Sequence, residues 1–367
     1  MQKLNGIKNR ISFLGSLVCA SVVLVSLSAS VTAQNKGIYN RDLAPASKFD
    51  LSHWNITLPI DLNRDGKGDS ISVKKLKKYS HPDFFYLNDQ DQMVFTSPNK
   101  GAKTKNTSNT RSELRYMLRG ERAKIKTHSA RNNFAVEARK GSHKFGSVGG
   151  KMEATLKVDH VARNTTKPNK GPAYSVVVGQ IHAVKYKNTE SGFGYGNEPL
   201  KIYYKKWPGH NTGSVFWNYE RNLAKDDPNR GDVVYPVWGH TWENPSDPGA
   251  EGVALGEEFS YTVNVHKNTM YLSFESPTRE TVKYSINLAN NIDANGQLDP
   301  LDNRYSYGGD SLYFKAGVYN QCSTKNAPGL WYAACDGTGD WAVDKANGDY
   351  AQATFMRLVV GDSTAPE

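Results

Sequence analysis

The chain has 367 residues, a formal net charge of +10 and three cysteines. Beyond residue 33 no apolar run is long enough to span a bilayer, and no internal repeat or low-complexity linker divides the chain. No nucleic-acid-binding motif accompanies the positive surplus, which leaves a soluble basic surface or attraction to another polyanion.

Residues 1–33 read as an export signal. Lys3, Lys8 and Arg10 form a positive n-region, and Ile11 to Leu27 is apolar with small residues mixed in. Val31-Thr32-Ala33 then supplies the cleavage pattern before Gln34. Leu17-Val18-Cys19 lacks the small residue that a lipoprotein signal places before its cysteine. The mature protein is therefore expected to be secreted, outside the cell or into a bacterial periplasm, with no membrane attachment. Losing three positive charges lowers the net charge to about +7. For an exported chain, an acidic polysaccharide is the polyanion that fits. Cys19 leaves with the signal, and Cys322 and Cys335 remain as an even pair in an oxidising compartment, where a disulfide is expected and two free thiols are the alternative.

Residues 34–44 read as a flexible leader and 45–367 as a single domain. Phe49 to Trp54 and Asn55-Ile56-Thr57-Leu58-Pro59 alternate in part and stop at proline, as an edge strand does. Asp61, Asn63, Asp65 and Asp69 stand at positions one, three, five and nine of a loop with Gly66 at six, the spacing of a structural Ca²⁺ site. The twelfth position is Ser72 and helical flanks are missing, so a plain Asp/Gly turn competes with that reading.

Two-residue alternation follows at Phe134/Val136/Ala138, Met152/Ala154/Leu156/Val158, Leu200/Ile202/Tyr204, Tyr261/Val263/Val265, Met270/Leu272/Phe274 and Met356/Leu358/Val360. Lys267-Asn268 sits between two of these runs as a hairpin turn. Helical periodicity is nearly absent. Many short strands in one long chain predict an all-β sandwich of two antiparallel sheets with long loops. Trp207, Trp217, Trp238 and Trp242 lie in a Gly- and Pro-rich stretch, where they either stack on sugars or pack loops.

Three segments share one design. In Arg111-Ser112-Glu113-Leu114-Arg115 the charged residues occupy one face of a strand. In Gln180-Ile181-His182 the polar pair does so. In Tyr313-Phe314-Lys315-Ala316-Gly317-Val318-Tyr319-Asn320-Gln321, Phe314, Ala316 and Val318 face a core, while Tyr313, Lys315, Tyr319 and Gln321 face the other way. Side by side in one sheet, these strands line a concave polar groove.

Such a groove suits cleavage of a polyuronate by β-elimination. The proton at C5 lies α to a carboxylate, so its removal makes a dianion that preorganised donors must neutralise. Arg111 is the ion partner for that charge, with Gln180 donating an amide hydrogen bond and His182 in reach. Tyr319 and His182 are the candidate base and acid. The scheme needs no metal, and the sequence has no HExxH motif or Cys/His cluster. A glycoside hydrolase would need two facing carboxylates, and Glu113 is the only acid on the three groove faces. A non-catalytic sugar-binding sandwich would not need His182 and Tyr319 together.

The same three blocks, in this order, resemble the signatures of the alginate lyases of polysaccharide lyase family 7, and Phe49-Asp50-Leu51, Trp54 and Leu58-Pro59 resemble that family's first strand. The resemblance implies a β-jelly roll whose cleft binds alginate. It implies Arg111 and Gln180 neutralising the uronate carboxylate, His182 as carboxylate partner or base, and Tyr319 as acid/base. Glu113, Arg115, Tyr313, Lys315 and Gln321 would bind substrate. No catalytic cofactor is implied, and the chain is expected to act as a monomer. In that family Ile in Gln-Ile-His tends to accompany activity on guluronate, and Val activity on mannuronate. The long segment around Lys205 to His210 resembles the larger secreted bacterial members.

Overall fold

Strands that bury one face pair edge to edge until two sheets can close on each other. In this computed structural model, which describes residues 43–366 except 106, 170, 187–191 and 327–332, that closure gives a sandwich. The export signal, and all of the leader but its last two residues, lie outside the described residues. Those that are described belong to one compact unit, Ile38–Glu367.

Among the described residues, one sheet has ten strands. Its main path runs Asp232–Trp238, Ser214–Glu220, Leu200–Lys205, Ser175–Ala183, Leu312–Asn320, Arg111–Tyr116, Trp54–Thr57 and Ser70–Ile71, all antiparallel. The other has seven, in the order Arg279–Asn287, Thr269–Ser276, Glu258–His266, Gly150–His160, Tyr350–Gly361, Met93–Pro98 and Phe85–Leu87. Gly150–His160 alternates buried and half-buried along its whole length. Met152, Ala154, Leu156 and Val158 therefore enter the core between the sheets, each large one contributing about 1.5–3 kcal/mol by its burial. Lys267-Asn268 makes the expected tight turn, His266 pairing with Thr269.

Several details differ from the sequence reading. A bulge between Phe355 and Arg357 breaks the phase of the last strand, so Phe355 and Leu358 fill the core and Met356 does not. Only Phe134 and Ala135 of the Phe134–Ala138 run form a strand. A seven-residue helix, Trp341–Asn347, is capped by the Asp340 carboxylate, which accepts from the Ala342 and Val343 amides. Trp217 stacks on Tyr235 at 4.4 Å inside the core, and Trp238 donates to the Glu280 carbonyl, so both pack and neither faces sugar.

The Asp61–Asp69 loop closes on itself. Both Asp61 oxygens accept backbone amides, from Asp65 and Gly66, and Asp65 pairs with Lys67 at 3.2 Å. Among the described residues no group of three or more His, Cys, Asp or Glu side chains is placed to hold a metal. Cys322 and Cys335 are disulfide-bonded, with Cα atoms 5.5 Å apart. Among the described residues no helix is long and apolar enough to cross a membrane.

Candidate active site

The strand Leu312–Asn320 lies between Ser175–Ala183 and Arg111–Tyr116. Register sets Lys315 opposite both Gln180 and Arg115, Tyr313 opposite His182, and Tyr319 opposite Arg111. Between Ala316 and Tyr319 the pairing with Ser175–Ala183 slips by a bulge. Gly317 sits there at φ +129°, and a Cβ on it would lie 2.7 Å from the Ser112 carbonyl oxygen. Only glycine fits that backbone and that approach.

Glu113 is the hub of the groove face. Arg111 Nη1 lies 2.7 Å from its Oε2, Lys315 Nζ pairs with the same oxygen, and the Gln180 amide donates to Oε1. Burial pushes the Glu113 carboxyl up, but Lys315 and Arg111 outweigh it and hold it below the usual range. Burial and the nearby Arg111 push the Lys315 ammonium down to about 8, against the pull of Glu113. Two cations on one carboxylate leave positive charge over, which an incoming anion would find. The Arg111 guanidinium lies 3.9 Å from the centre of the Tyr319 ring, and Lys315 Nζ 5.7 Å. Cations beside a phenol favour its ionised form.

His182 and Tyr319 mark opposite ends of this arrangement. Tyr319 pairs with Val177, five positions along the strand from His182, roughly 16 Å of backbone at the usual rise. At the His182 end the imidazole stacks on Tyr313 at 5.2 Å, and the Arg115 guanidinium covers Tyr313 at 3.8 Å. Arg115 also donates to Asn133 Oδ1 at 2.8 Å. At the Tyr319 end the phenol joins an apolar cluster with Val177, Tyr203, Phe216 and Trp242. Trp242 is thus the tryptophan of the four that sits beside the candidate site, with Trp207 under the ammonium of Lys205 at 4.1 Å.

Two of the expected substrate contacts take other places. Glu113 is 3% exposed and Gln321 1%. Both Glu113 oxygens are taken by Arg111, Lys315 and Gln180, and the Gln321 amide donates to the Tyr319 carbonyl at 3.3 Å. They hold the machinery and present no open face to a sugar, because neighbouring strand residues enclose what strand alternation alone would leave exposed.

A second polar cluster went unread in the sequence. His182 Nε2 lies 3.0 Å from Glu198. Lys201 stands 3.7 Å from Glu198, 3.9 Å from Glu220 and 3.2 Å from Asp232, and Asn218 donates to Asp232 at 2.8 Å. The signal was present: Lys201 with Tyr203, and Asn218 with Glu220, alternate on the groove face of their strands.

The sequence profile described as alginate lyase matches residues 49–362. The chain belongs to the alginate lyases of polysaccharide lyase family 7. It is 37% identical over 323 residues to an alginate lyase of Klebsiella pneumoniae, across 86% of this chain and 90% of that one. The crystal structure of the alginate lyase from Klebsiella pneumoniae superposes with a TM-score of 0.68 at 34% identity, covering 88% of this chain and 99% of the other. An exolytic family 7 alginate lyase from Zobellia galactanivorans gives 0.69 at 34% identity with the same coverage. The two-sheet sandwich is the jelly roll of these alginate lyases.

Proposed function

We propose that this alginate lyase is secreted and cleaves the 4-O-glycosidic bond by β-elimination, preferring guluronate-containing stretches and leaving unsaturated uronate ends. The observation that carries the reading is the Glu113 hub, which fixes Arg111, Lys315 and Gln180 on one surface beside Tyr319. A uronate carboxylate laid there would meet a guanidinium, an ammonium and an amide, the donors a dianionic intermediate requires. Those groups do the neutralising, so turnover is expected to survive a chelator. The mature protein would act as a monomer, which size-exclusion chromatography checks.

The guluronate preference rests on the Gln-Ile-His resemblance. Ile181 is fully buried and pairs with Phe314 and Leu200, so its influence would pass through how it seats Gln180 and His182. Incubation with polyguluronate and polymannuronate, followed by ultraviolet absorbance of new C4–C5 double bonds, tests the proposal. Faster appearance on polyguluronate is expected, and the reverse order would make this a mannuronate lyase. Binding without absorbance would leave only a sugar-binding sandwich, and new reducing ends without unsaturation would indicate a hydrolase.

A further inference from the structure

The polar face of the ten-stranded sheet is filled on one flank and accessible on the other. Residues paired directly across antiparallel strands point to the same side, so register extends the catalytic face in both directions. Arg111 and Tyr319 continue through Val177 and Tyr203 to Phe216. Along that row exposure falls from 8% at Arg111 and 7% at Tyr319 to 0% at Tyr203 and Phe216. At the same end of the strands Asn109, Ser175, Lys205 and Gln321 are buried as well. In the other direction Arg115 pairs with Asn55, Glu113 with Thr57, and Thr57 with Ser70. Asn55 and Thr57 are half-buried and Ser70 is exposed, so this flank is open to solvent among the described residues.

A tryptophan closes the filled flank. Trp242, on the loop that follows Asp232–Trp238, sets its ring edge-on against Tyr203 at 4.8 Å and Phe216 at 4.6 Å. A Cβ on Gly171 would touch the indole at 3.7 Å. Lys205 ties that segment down by donating to the Gly171 and Ala173 carbonyls at 2.6 and 2.8 Å. Two strand spacings separate Tyr203 from Tyr319, roughly 10 Å, so about one or two sugar rings fit before the indole.

We propose that the groove is blind at its Tyr319 end, with Trp242 as the wall, so that this enzyme trims short fragments from the ends of alginate chains and does not cut inside them. The inference rests on the β-elimination reading above. A polymer threaded through an open groove needs a way out on both sides of the cut bond. Here the face beyond Tyr319 is filled both across the strands and along them, so only a chain terminus can occupy it. In each cut H5 leaves as a proton and its bonding pair becomes the C4–C5 double bond. O4 departs with the C4–O4 pair and gains a proton. Every cut therefore adds one double bond wherever it falls, and fragment size reports where it fell.

The mature enzyme on alginate, followed by ultraviolet absorbance, viscosity and product sizing together, tests this. Short fragments should appear from the first turnovers beside polymer of nearly its starting length, with viscosity falling slowly for each double bond formed. At a fixed mass of uronate below saturation, halving the mean chain length should about double the initial rate, because the rate follows the concentration of chain ends. Trp242→Ala removes the wall, so oligomers of intermediate length should appear early and viscosity should fall faster per double bond. The proposal is overturned if the wild type gives a ladder of intermediate oligomers at the outset, if its rate ignores chain length, or if Trp242→Ala leaves the product profile unchanged. Should Trp242→Ala not fold, the wild-type profile and its dependence on chain length still decide. A wild-type protein that makes no unsaturation sinks the lyase reading instead, so the two failures are distinguishable.

Discussion

Two clusters on one sheet face solve opposite problems of charge. Around Glu113 a single carboxylate serves Arg111, Lys315 and Gln180. Around Lys201 an ammonium stands among Glu198, Glu220 and Asp232, with Arg230 2.5 Å from Glu220. Both are buried, so neither could stand with its hub unpaired. Yet the first leaves a cation over for an anionic substrate, whereas the second matches its carboxyl groups with Lys201, Arg230 and the His182 imidazole. A polyuronate is attracted at the first cluster.

The sharpest break of this comparison is at Tyr319, whose ring the Arg111 guanidinium of the first cluster covers. Tyr319→Phe should abolish unsaturation while alginate still binds, measured by calorimetry, and full activity would remove the phenol from the mechanism. The hubs come next. Glu113→Gln and Lys201→Met should each cost about 3–5 kcal/mol of stability by chemical denaturation, because each strands buried charges, but with opposite pH dependence. Glu113→Gln strands cations, so its deficit should shrink as pH rises and Lys315 loses its proton. Lys201→Met strands carboxylates, so its deficit should shrink as pH falls and they gain protons. The same pH slope in both variants would mean that the clusters do not differ as described.

Arg111→Ala should lower kcat by about 10²–10³-fold, the loss typical of one preorganised donor at a developing anion. A near-normal rate would count against charge neutralisation there. Away from both clusters, replacing Cys322 and Cys335 with serine should cost roughly 3 kcal/mol in thermal or chemical unfolding for a loop of 13 residues. The smallest effect is at Lys315. Its ammonium is held at about 8 in the folded protein against an ordinary 10.5, so between those values the unfolded chain binds more protons and stability rises with pH. Over the same range the site loses a cation, and KM for alginate should climb above about pH 8. In Lys315→Arg that climb should disappear.

The sequence by itself determined the strands that alternate strictly, such as Gly150–His160, and the polar faces of Arg111–Arg115, Gln180–His182 and Tyr313–Tyr319. A strand's two-residue period depends only on local backbone geometry, so it is written in consecutive letters. The Cys322–Cys335 pairing was legible for a similar reason, being the one pair left to form. What only the tertiary structure decided is which polar groups meet. Glu113 looked like a groove contact and became a buried hub, Gln321 turned inward, and Glu198 reached His182 from another segment of the chain. Those outcomes depend on bulges at Gly317 and Phe355 and on register between distant strands. Each is a contact between residues far apart in the chain, and the free energy of burying charge without a partner, which no local pattern records, selected among them.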